Sequence, residues 1–333
     1  MFHEESEIGD TFVIDRTTGD DRKSPCVDDL RLTISNYIPR YKPNQKTYRR
    51  MNFQIRKFNM QTLVDRCEID SRKSPMIVLI GKKDTGKSFL VRDILANTKN
   101  CFPIGTVISG TEVASPFFQE MVPSKLIHDK YRPEIVMNAI KRQLAVKQAR
   151  NHAKKSGGSA ATMDPRAFLI LDDCLYDKSW INEESTRYIF MNGRHIDMVT
   201  MITMQYPLGV SPNLRTNIDF VFILRENNIS NRKRIYENFA GMFPTFEMFC
   251  QFMDQCTENY ECLVVANGVQ SNRLEDQVFW YKASEHPSFR MCDDSLWVGN
   301  TPFSSTLLGG DEFDPSKVQK KNAGPQVWVK KTG

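Results

Sequence analysis

The feature that most constrains the fold is an apolar run that stops at a glycine-rich loop. Met76 to Ile80 is continuously apolar, which is typical of a strand buried on both faces of a parallel sheet. A G-x-x-x-x-G-K-S loop follows from Gly81 to Ser88, and apolar residues at helical spacing begin at Phe89. Such glycines let the backbone curl, so that successive N–H groups converge on phosphate oxygens. The order of strand, loop and helix therefore predicts a nucleotide-binding site.

The loop also predicts individual contacts. Lys87 would reach the β- and γ-phosphates as a point charge, and the Ser88 hydroxyl would ligate Mg²⁺. A helix that opens at Lys87 would add the positive end of its dipole. The residues expected to contact the nucleotide are Gly81, Lys82, Lys83, Asp84, Thr85, Gly86, Lys87 and Ser88.

A second apolar strand, Ala167 to Leu171, ends in the two carboxylates Asp172 and Asp173. Asp172 would hold the magnesium through water, and Asp173 would polarise the attacking water as general base. The alternative is that the pair caps the following helix, which could coexist with catalysis. Adjacent carboxylates repel, but a nearby magnesium ion would keep both ionised.

Gln205 follows the strand predicted at Val199 to Met204. The carboxyl ends of strands in open α/β sheets are where ligand-contacting groups lie. We interpret Gln205 as a γ-phosphate sensor that also orients water. The alternative is an ordinary polar residue where a strand meets the turn at Tyr206 and Pro207.

The alternation of strands and helices predicts an α/β P-loop NTPase, with a RecA-like, mainly parallel sheet flanked by helices and with polar N- and C-terminal arms. Residues 1–50 form a polar, partly disordered arm, residues 51–285 the ATPase domain and residues 286–333 a C-terminal extension. Further strands are predicted at 104–108, 168–171, 220–224, 261–266 and 278–283, and helices at 134–154, 231–240 and 245–255.

The charge and hydropathy patterns indicate possible partners and the location of the protein. Residues 1–30 hold nine acidic and three basic side chains, whereas residues 31–60 hold eight basic and no acidic ones. This switch indicates either a tail that folds back on its basic neighbour or a basic collar for nucleic acid. The sequence has no run of eighteen apolar residues and no leader-like start, so we expect a soluble, unexported protein.

The eight cysteines contain no C-x-x-C pair, which favours reduced thiols over a zinc ribbon or a disulfide scaffold. Cys250, Cys256 and Cys262 recur every six residues, but a metal site there is not favoured because histidine is absent nearby.

Lys147, Arg150 and Lys154 share helical spacing and could grip DNA phosphates without reading bases. A solvated helix face is the alternative, and Arg49 to Lys57 or Lys320-Lys321 are other candidates. The sequence has no helix-turn-helix or zinc-finger spacing, so site-specific reading is not expected.

Neither N-K-x-D nor D-x-x-G accompanies the loop, so ATP is expected rather than GTP. From about residue 51 to 266 the sequence resembles the genome-packaging ATPases of nucleocytoplasmic large DNA viruses, within the FtsK/HerA superfamily of DNA translocases. The resemblance rests on Ile80 to Ser88, on Leu171 to Cys174, and on Asn192 to His195 shortly before Gln205. Many superfamily members carry Glu where this chain has Asp173, which has the shorter side chain.

The resemblance implies a homo-oligomeric ring that pushes double-stranded DNA into a capsid without reading its sequence. It also implies contact with capsid or inner-membrane proteins, and a location at the virus assembly site in the host cytoplasm or in the virion. Arg194 is the first candidate for a guanidinium that acts on the neighbouring subunit, with Arg215 second and Arg225 third. The alternative is a surface arginine paired with an acid.

Two other functions stay open from the residues alone. One is a helicase or another nucleic-acid-dependent ATPase. The other is a nucleotide-dependent switch or assembly scaffold that hydrolyses slowly.

Overall fold

The computed structural model describes residues 32–40, 47–69, 71, 73–156, 164–173, 180, 182–206 and 210–300, with side chains from residue 53 onward. The strands are β1 (Leu32–Arg40), β2 (Thr47–Lys57), β3 (Met76–Ile80), β4 (Ile104–Ser109), β5 (Ile127–His128), β6 (Ala167–Asp172), β7 (Met198–Met204), β8 (Phe220–Ile223), β9 (Glu261–Ala266) and β10 (Val278–Lys282). The α-helices are α1 (Gln61–Arg66), α2 (Lys87–Asn97), α3 (Pro133–Lys155), α4 (Glu184–Asn192), α5 (Pro212–Arg215), α6 (Ile229–Phe239), α7 (Phe246–Cys256) and α8 (Leu274–Gln277).

All ten strands join one sheet in the order β1-β2-β10-β9-β8-β3-β7-β6-β4-β5. From β8 through β3, β7, β6 and β4 to β5, every neighbouring pair is parallel. β9 is antiparallel to both β8 and β10. Because β7 lies between β3 and β6, the carboxyl ends of these three strands meet. We call this side of the sheet the carboxyl edge and the opposite side the amino edge.

The alternation of side chains along β3 divides the core into two layers. Ile77 and Leu79 pack with α1 and α2 on one face, whereas Val78 and Ile80 pack with α3, α4, α6 and α7 on the other. All five residues of β3 are buried. A strand covered on both faces cannot alternate apolar with polar residues, which explains its continuous apolar run.

The predicted α/β architecture with a mainly parallel sheet is confirmed, and so are the seven predicted strands, whose ends differ by at most one residue. The three predicted helices correspond to α3, α6 and α7. The division of the chain into three segments stays a prediction. None of the helices in the described part of the chain is long and apolar enough to cross a membrane.

The predicted N-terminal arm differs from expectation because it contains β1 and the first residues of β2. These strands pair antiparallel, and β2 joins the sheet through β10. β1 is the edge strand, the position where a residue such as Pro39 is tolerated. Residues 1–31 and 41–46 of the arm, with residues 301–333 of the tail, lie outside the described residues.

The described part of the C-terminal extension packs on the core. Met291 is fully buried, and its N–H donates to the Met121 carbonyl at 2.8 Å. His286 contacts the carboxylate of Asp93 at 2.5 Å, and that carboxylate also accepts from the Tyr281 hydroxyl at 2.6 Å. Asp93 lies on α2 and is fully buried, so these contacts tie the extension to the helix that follows the loop.

Candidate nucleotide-binding site

The loop from Gly81 to Ser88 lies at the carboxyl edge, between β3 and α2, as the sequence predicts. A Cβ at Gly81 would lie 2.7 Å from Cδ1 of Leu224 and 2.8 Å from Oγ1 of Thr85, so a side chain does not fit there. Gly86 precedes α2 with a φ of 93°, which favours glycine. The Thr85 hydroxyl donates to the Lys82 carbonyl at 2.7 Å. These contacts hold the curled backbone that presents N–H groups to phosphates.

Lys87, Asp173 and Gln205 meet at one point although they are far apart in sequence. Lys87 is the first residue of α2 and is 8% exposed. Its ammonium pairs with Oδ2 of Asp173. The Gln205 amide donates to the same oxygen at 3.0 Å. The structure therefore brings three predicted site residues from three neighbouring strands into one cluster.

Asp173 has an unusual backbone. Its φ of 45° lies in the left-handed region, which Asp tolerates better than most residues. Its N–H donates to the Thr203 hydroxyl at 3.2 Å. This conformation directs the side chain of Asp173 toward Lys87, on the side of the loop.

Asp172 is held by two hydroxyl groups. Ser109, at the end of β4, donates to Oδ2 at 2.9 Å, and Thr203, on β7, donates to Oδ1 at 2.6 Å. Burial raises the pKa of Asp172, while these two hydrogen bonds oppose that shift. A cation beside this carboxylate would favour its ionised form.

The donor set fits Mg²⁺. The Ser88 hydroxyl is exposed on the first turn of α2, and the Asp172 carboxylate supplies a second oxygen. Mg²⁺ typically takes one or two protein oxygens together with substrate phosphates and water. The described residues contain no cluster of three or more His, Cys, Asp or Glu side chains, so a cage made only of protein ligands is not seen there.

Sequence reasoning missed Ser109, Thr203 and Glu226. Glu226 is 4% exposed and pairs with Lys82 at 2.5 Å, which ties the loop to the segment after β8. Burial alone would raise the pKa of Glu226, but hydrogen bonds from Lys82, the Asn228 N–H and Asn231 lower it. All three missed residues lie at or just beyond the carboxyl ends of parallel strands, and that position was the available signal.

The three candidate arginines lie in different places. Arg194 lies at the amino edge, just before β7, with its guanidinium 4.0 Å from the Asp219 carboxylate and 3.5 Å from the Asn217 carbonyl. The Arg215 guanidinium donates to Asn238. Arg225 follows β8 at the carboxyl edge and donates to Asn227 at 3.2 Å. The structure does not bring Arg194 to the Lys87 cluster of its own chain.

The basic face of α3 lines a cavity. Lys147, Arg150 and Lys154 border it together with His195 and Asp197, and its volume is about 270 Å³. The Lys147 ammonium donates to the His195 carbonyl and lies 4.0 Å from the Asp197 carboxylate. Lys147 therefore takes part in packing at the amino edge, in addition to any contact that it makes with phosphates.

The described cysteines are all free, and three of them recur every six residues in the sequence. Cys250 lies on α7, Cys256 ends that helix, and Cys262 lies on β9. Burial raises the pKa of Cys256 to about 12 and raises that of Cys262 well above its usual value. Deprotonation, which metal binding requires of a thiol, is therefore disfavoured at these two residues.

Proteins of large DNA viruses resemble this chain in sequence. The uncharacterized protein L437 of Acanthamoeba polyphaga mimivirus is 36% identical over 234 residues, which cover 70% of this chain and 78% of that protein. The uncharacterized protein 088R of Invertebrate iridescent virus 3 is 39% identical over 207 residues, which cover 62% and 75%. No family model matches the chain.

Among solved structures, B204, the DNA-packaging ATPase of Sulfolobus turreted icosahedral virus, is 14% identical. The match covers 64% of this chain and all of B204, with a TM-score of 0.42. This likeness is too distant to bear on fold or function.

Proposed function

The chain belongs to the family of large-DNA-virus proteins that includes mimivirus L437 and iridescent virus 088R, and we propose that it is a magnesium-dependent ATPase. The observation that carries the proposal is the convergence of Lys87 and Gln205 on Oδ2 of Asp173 beside the phosphate loop. A loop that cradles phosphates, a cation, a carboxylate and an amide in one place are the parts that hydrolysis of a nucleoside triphosphate needs.

Each residue has a distinct part in the proposed reaction. The backbone N–H groups of the loop and the Lys87 ammonium neutralise the triphosphate, and Lys87 stabilises the charge that develops during transfer. Asp173 accepts the proton of the attacking water, and Gln205 orients that water. Ser88 and Asp172 would hold Mg²⁺, which would help to neutralise the charge that develops on the triphosphate.

We further propose that hydrolysis drives translocation of double-stranded DNA into a viral capsid. This proposal is supported by the motif resemblance carried by the loop, the Asp172-Asp173 pair and the segment Asn192 to His195 before Gln205, together with the viral origin of the relatives. It includes a homo-oligomeric ring, contacts with capsid or inner-membrane proteins, and action at the cytoplasmic assembly site.

In such a ring, Arg194 is proposed to act on the neighbouring subunit. The proposal is supported by its place at the amino edge, away from the Lys87 cluster of its own chain. Mixing Arg194→Ala subunits with Lys87→Ala subunits tests this, because each variant supplies the group that the other lacks. We expect partial recovery of ATP hydrolysis, and no recovery would contradict a role in trans.

The decisive assay is hydrolysis of ATP with and without duplex DNA. We expect strong stimulation by duplex DNA, and loss of hydrolysis in Lys87→Ala and Asp173→Asn. Displacement of a triplex-forming strand would distinguish translocation from simple DNA-stimulated hydrolysis. A helicase would separate duplex strands instead, and a scaffold would hydrolyse slowly whatever DNA is present. Absence of stimulation across salt concentrations would rule out the motor.

A further inference from the structure

The turn between α7 and β9 places a tyrosine against the phosphate loop. Asn259 and Tyr260 are its central residues, and the Glu261 N–H donates to the Glu258 carbonyl at 2.8 Å, which closes the turn. Both central residues have positive φ, 51° and 64°. Positive φ at both positions is the pattern of a type I′ turn, in which Asn followed by Gly is a preferred pair.

Tyr260 therefore occupies a position where local turn chemistry favours glycine. A bulky residue with positive φ is a backbone outlier that destabilises the folded chain. Burial does not offset this effect, because Tyr260 is 70% exposed. A strained residue that gains little from packing points to a role other than folding.

The ring of Tyr260 lies directly on the loop. A Cβ at Gly86 would lie 3.3 Å from Cδ1 of Tyr260 and 3.5 Å from its Cβ. Phe89 is also exposed and lies in the first turn of α2. The exposed ring of Tyr260 is thus beside the residue that joins the loop to the helix.

Exposed aromatic side chains are concentrated at the carboxyl edge. Among the residues whose side chains the structure describes, the exposed large aromatic residues are Phe89, Tyr206 and Tyr260. All three adjoin the loop or Gln205. Tyr206 already has the Arg234 guanidinium over its ring, 4.9 Å from the centroid. Tyr260 has the most exposed ring of the three.

We propose that Tyr260 forms the base-binding subsite and stacks on the adenine of a nucleotide whose phosphates the loop holds. The inference rests on the proposed ATP site and adds the residue that holds the base. Aromatic rings stack on any nucleobase because every base has a π face, so this contact holds the base without identifying it. It gives a reason for an exposed, strained tyrosine beside Gly86.

Calorimetric titration of the full chain with MgATP and with magnesium tripolyphosphate separates base binding from phosphate binding. Tripolyphosphate offers the loop its phosphates but carries no base. We expect Tyr260→Ala to weaken MgATP binding about tenfold, the effect typical of a lost base–aromatic stack, and to leave tripolyphosphate binding unchanged. Tyr260→Phe keeps the ring and should bind MgATP like the wild type. Tyr260→Leu keeps apolar bulk without a ring and should resemble Tyr260→Ala.

The outcomes distinguish this inference from the proposed function. If Tyr260→Ala binds both ligands equally more weakly, or binds both as tightly as the wild type, the base subsite is overturned while the ATP site stands. If the wild-type chain binds neither ligand, or if Lys87→Ala binds both as well as the wild type, the ATP site fails and the subsite fails with it.

Tyr260→Gly provides a second measurement. Glycine adopts positive φ without strain, so this variant should melt at a higher temperature than the wild type. It should nevertheless lose MgATP affinity as Tyr260→Ala does. A lower melting temperature with unchanged MgATP affinity would show that Tyr260 only packs against the loop, which contradicts the proposal.

Discussion

The two edges of the parallel sheet both pair a carboxylate with a cation, but they do so differently. At the amino edge, Asp219 is 5% exposed and accepts from the Met76 N–H at 2.8 Å through one oxygen and from the Arg66 guanidinium through the other. At the carboxyl edge, Asp173 receives Lys87 and Gln205 on a single oxygen and has a left-handed backbone.

This difference separates a structural pair from a candidate reactive one. Asp219 fixes the start of β3, and its own carbonyl accepts from the Asn267 N–H at 2.9 Å, so it connects several strands. A buried carboxylate with both oxygens satisfied contributes mainly to folding. A strained carboxylate that shares one oxygen between two donors beside an open loop is arranged for exchange of partners.

Lys87→Ala should give the largest effect of all, and this effect should be on the rate of ATP hydrolysis. Loss of a charge aimed at the transferring phosphoryl group typically lowers kcat by about 10²–10³-fold. Folding stability should fall as well, because the pair is mostly buried and Asp173 is left without its cation, although Asp173 keeps its hydrogen bond from Gln205. Steady-state ATP hydrolysis and thermal unfolding measure the two effects.

Lys83→Ala is the matched control for Lys87→Ala, because Lys83 is an exposed lysine of the same loop whose expected contact with phosphate is made by its backbone N–H. Its kcat should remain within a few fold of the wild type. If kcat fell equally in both variants, hydrolysis would depend on the total charge of the loop rather than on the position of Lys87.

Asp219→Ala should affect mainly stability, whereas Lys87→Ala should affect mainly ATP hydrolysis. Removal of one partner from a buried pair costs about 3–5 kcal/mol of unfolding free energy, because the other partner is left uncompensated. Hydrolysis per folded molecule should not change. Asp254→Ala is the control, since that carboxylate is 62% exposed where it pairs with Arg232. Its cost should be below about 1 kcal/mol. Similar denaturation curves for the two variants would contradict a structural role for Asp219.

Much of the candidate site could be predicted because its residues are close to strong local signals. Gly81 to Ser88 is a contiguous motif, and Asp172 and Asp173 end an apolar strand. Gln205 follows the next strand, and a parallel sheet brings these strand ends together. Local pattern and global arrangement coincide at these positions.

The remaining features depend on contacts that a sequence pattern does not show. Ser109 and Thr203 are ordinary residues in apolar strands until the register of β4, β6 and β7 places them beside Asp172. β1 was missed because Pro39 and Pro43, together with few periodic apolar positions nearby, indicate a linker. The position of Arg194 relative to Asp219 likewise depends on how β7 and β8 flank β3.

Thr203→Val tests the hydroxyl that connects the Asp172 carboxylate to the Asp173 backbone N–H. Thr203 is fully buried and serves both Asp172 and Asp173. Its loss should cost about 1–3 kcal/mol of unfolding free energy, and a misplaced Asp172 should lower kcat about tenfold.

Thr200→Val is a control on the same strand. Thr200 is also buried, and its hydroxyl has no hydrogen-bond partner among the described residues. The substitution should be neutral or stabilising, because it removes an unsatisfied polar atom. If both valine variants lost the same amount of activity, repacking of β7 rather than the Thr203 hydroxyl would be the cause.

Arg194→Ala should have only a small effect on stability. The Arg194 guanidinium lies 4.0 Å from Asp219, and its side chain is 35% exposed, whereas that of Arg66 is 19% exposed and in hydrogen-bond contact. A loose, partly exposed pair contributes about 0–1 kcal/mol, so Arg66→Ala should destabilise the chain more than Arg194→Ala does. Chemical denaturation of both variants measures the difference. A loss above about 2 kcal/mol in Arg194→Ala would make Arg194 a second structural partner of Asp219 and would weaken the proposal that it serves a neighbouring subunit.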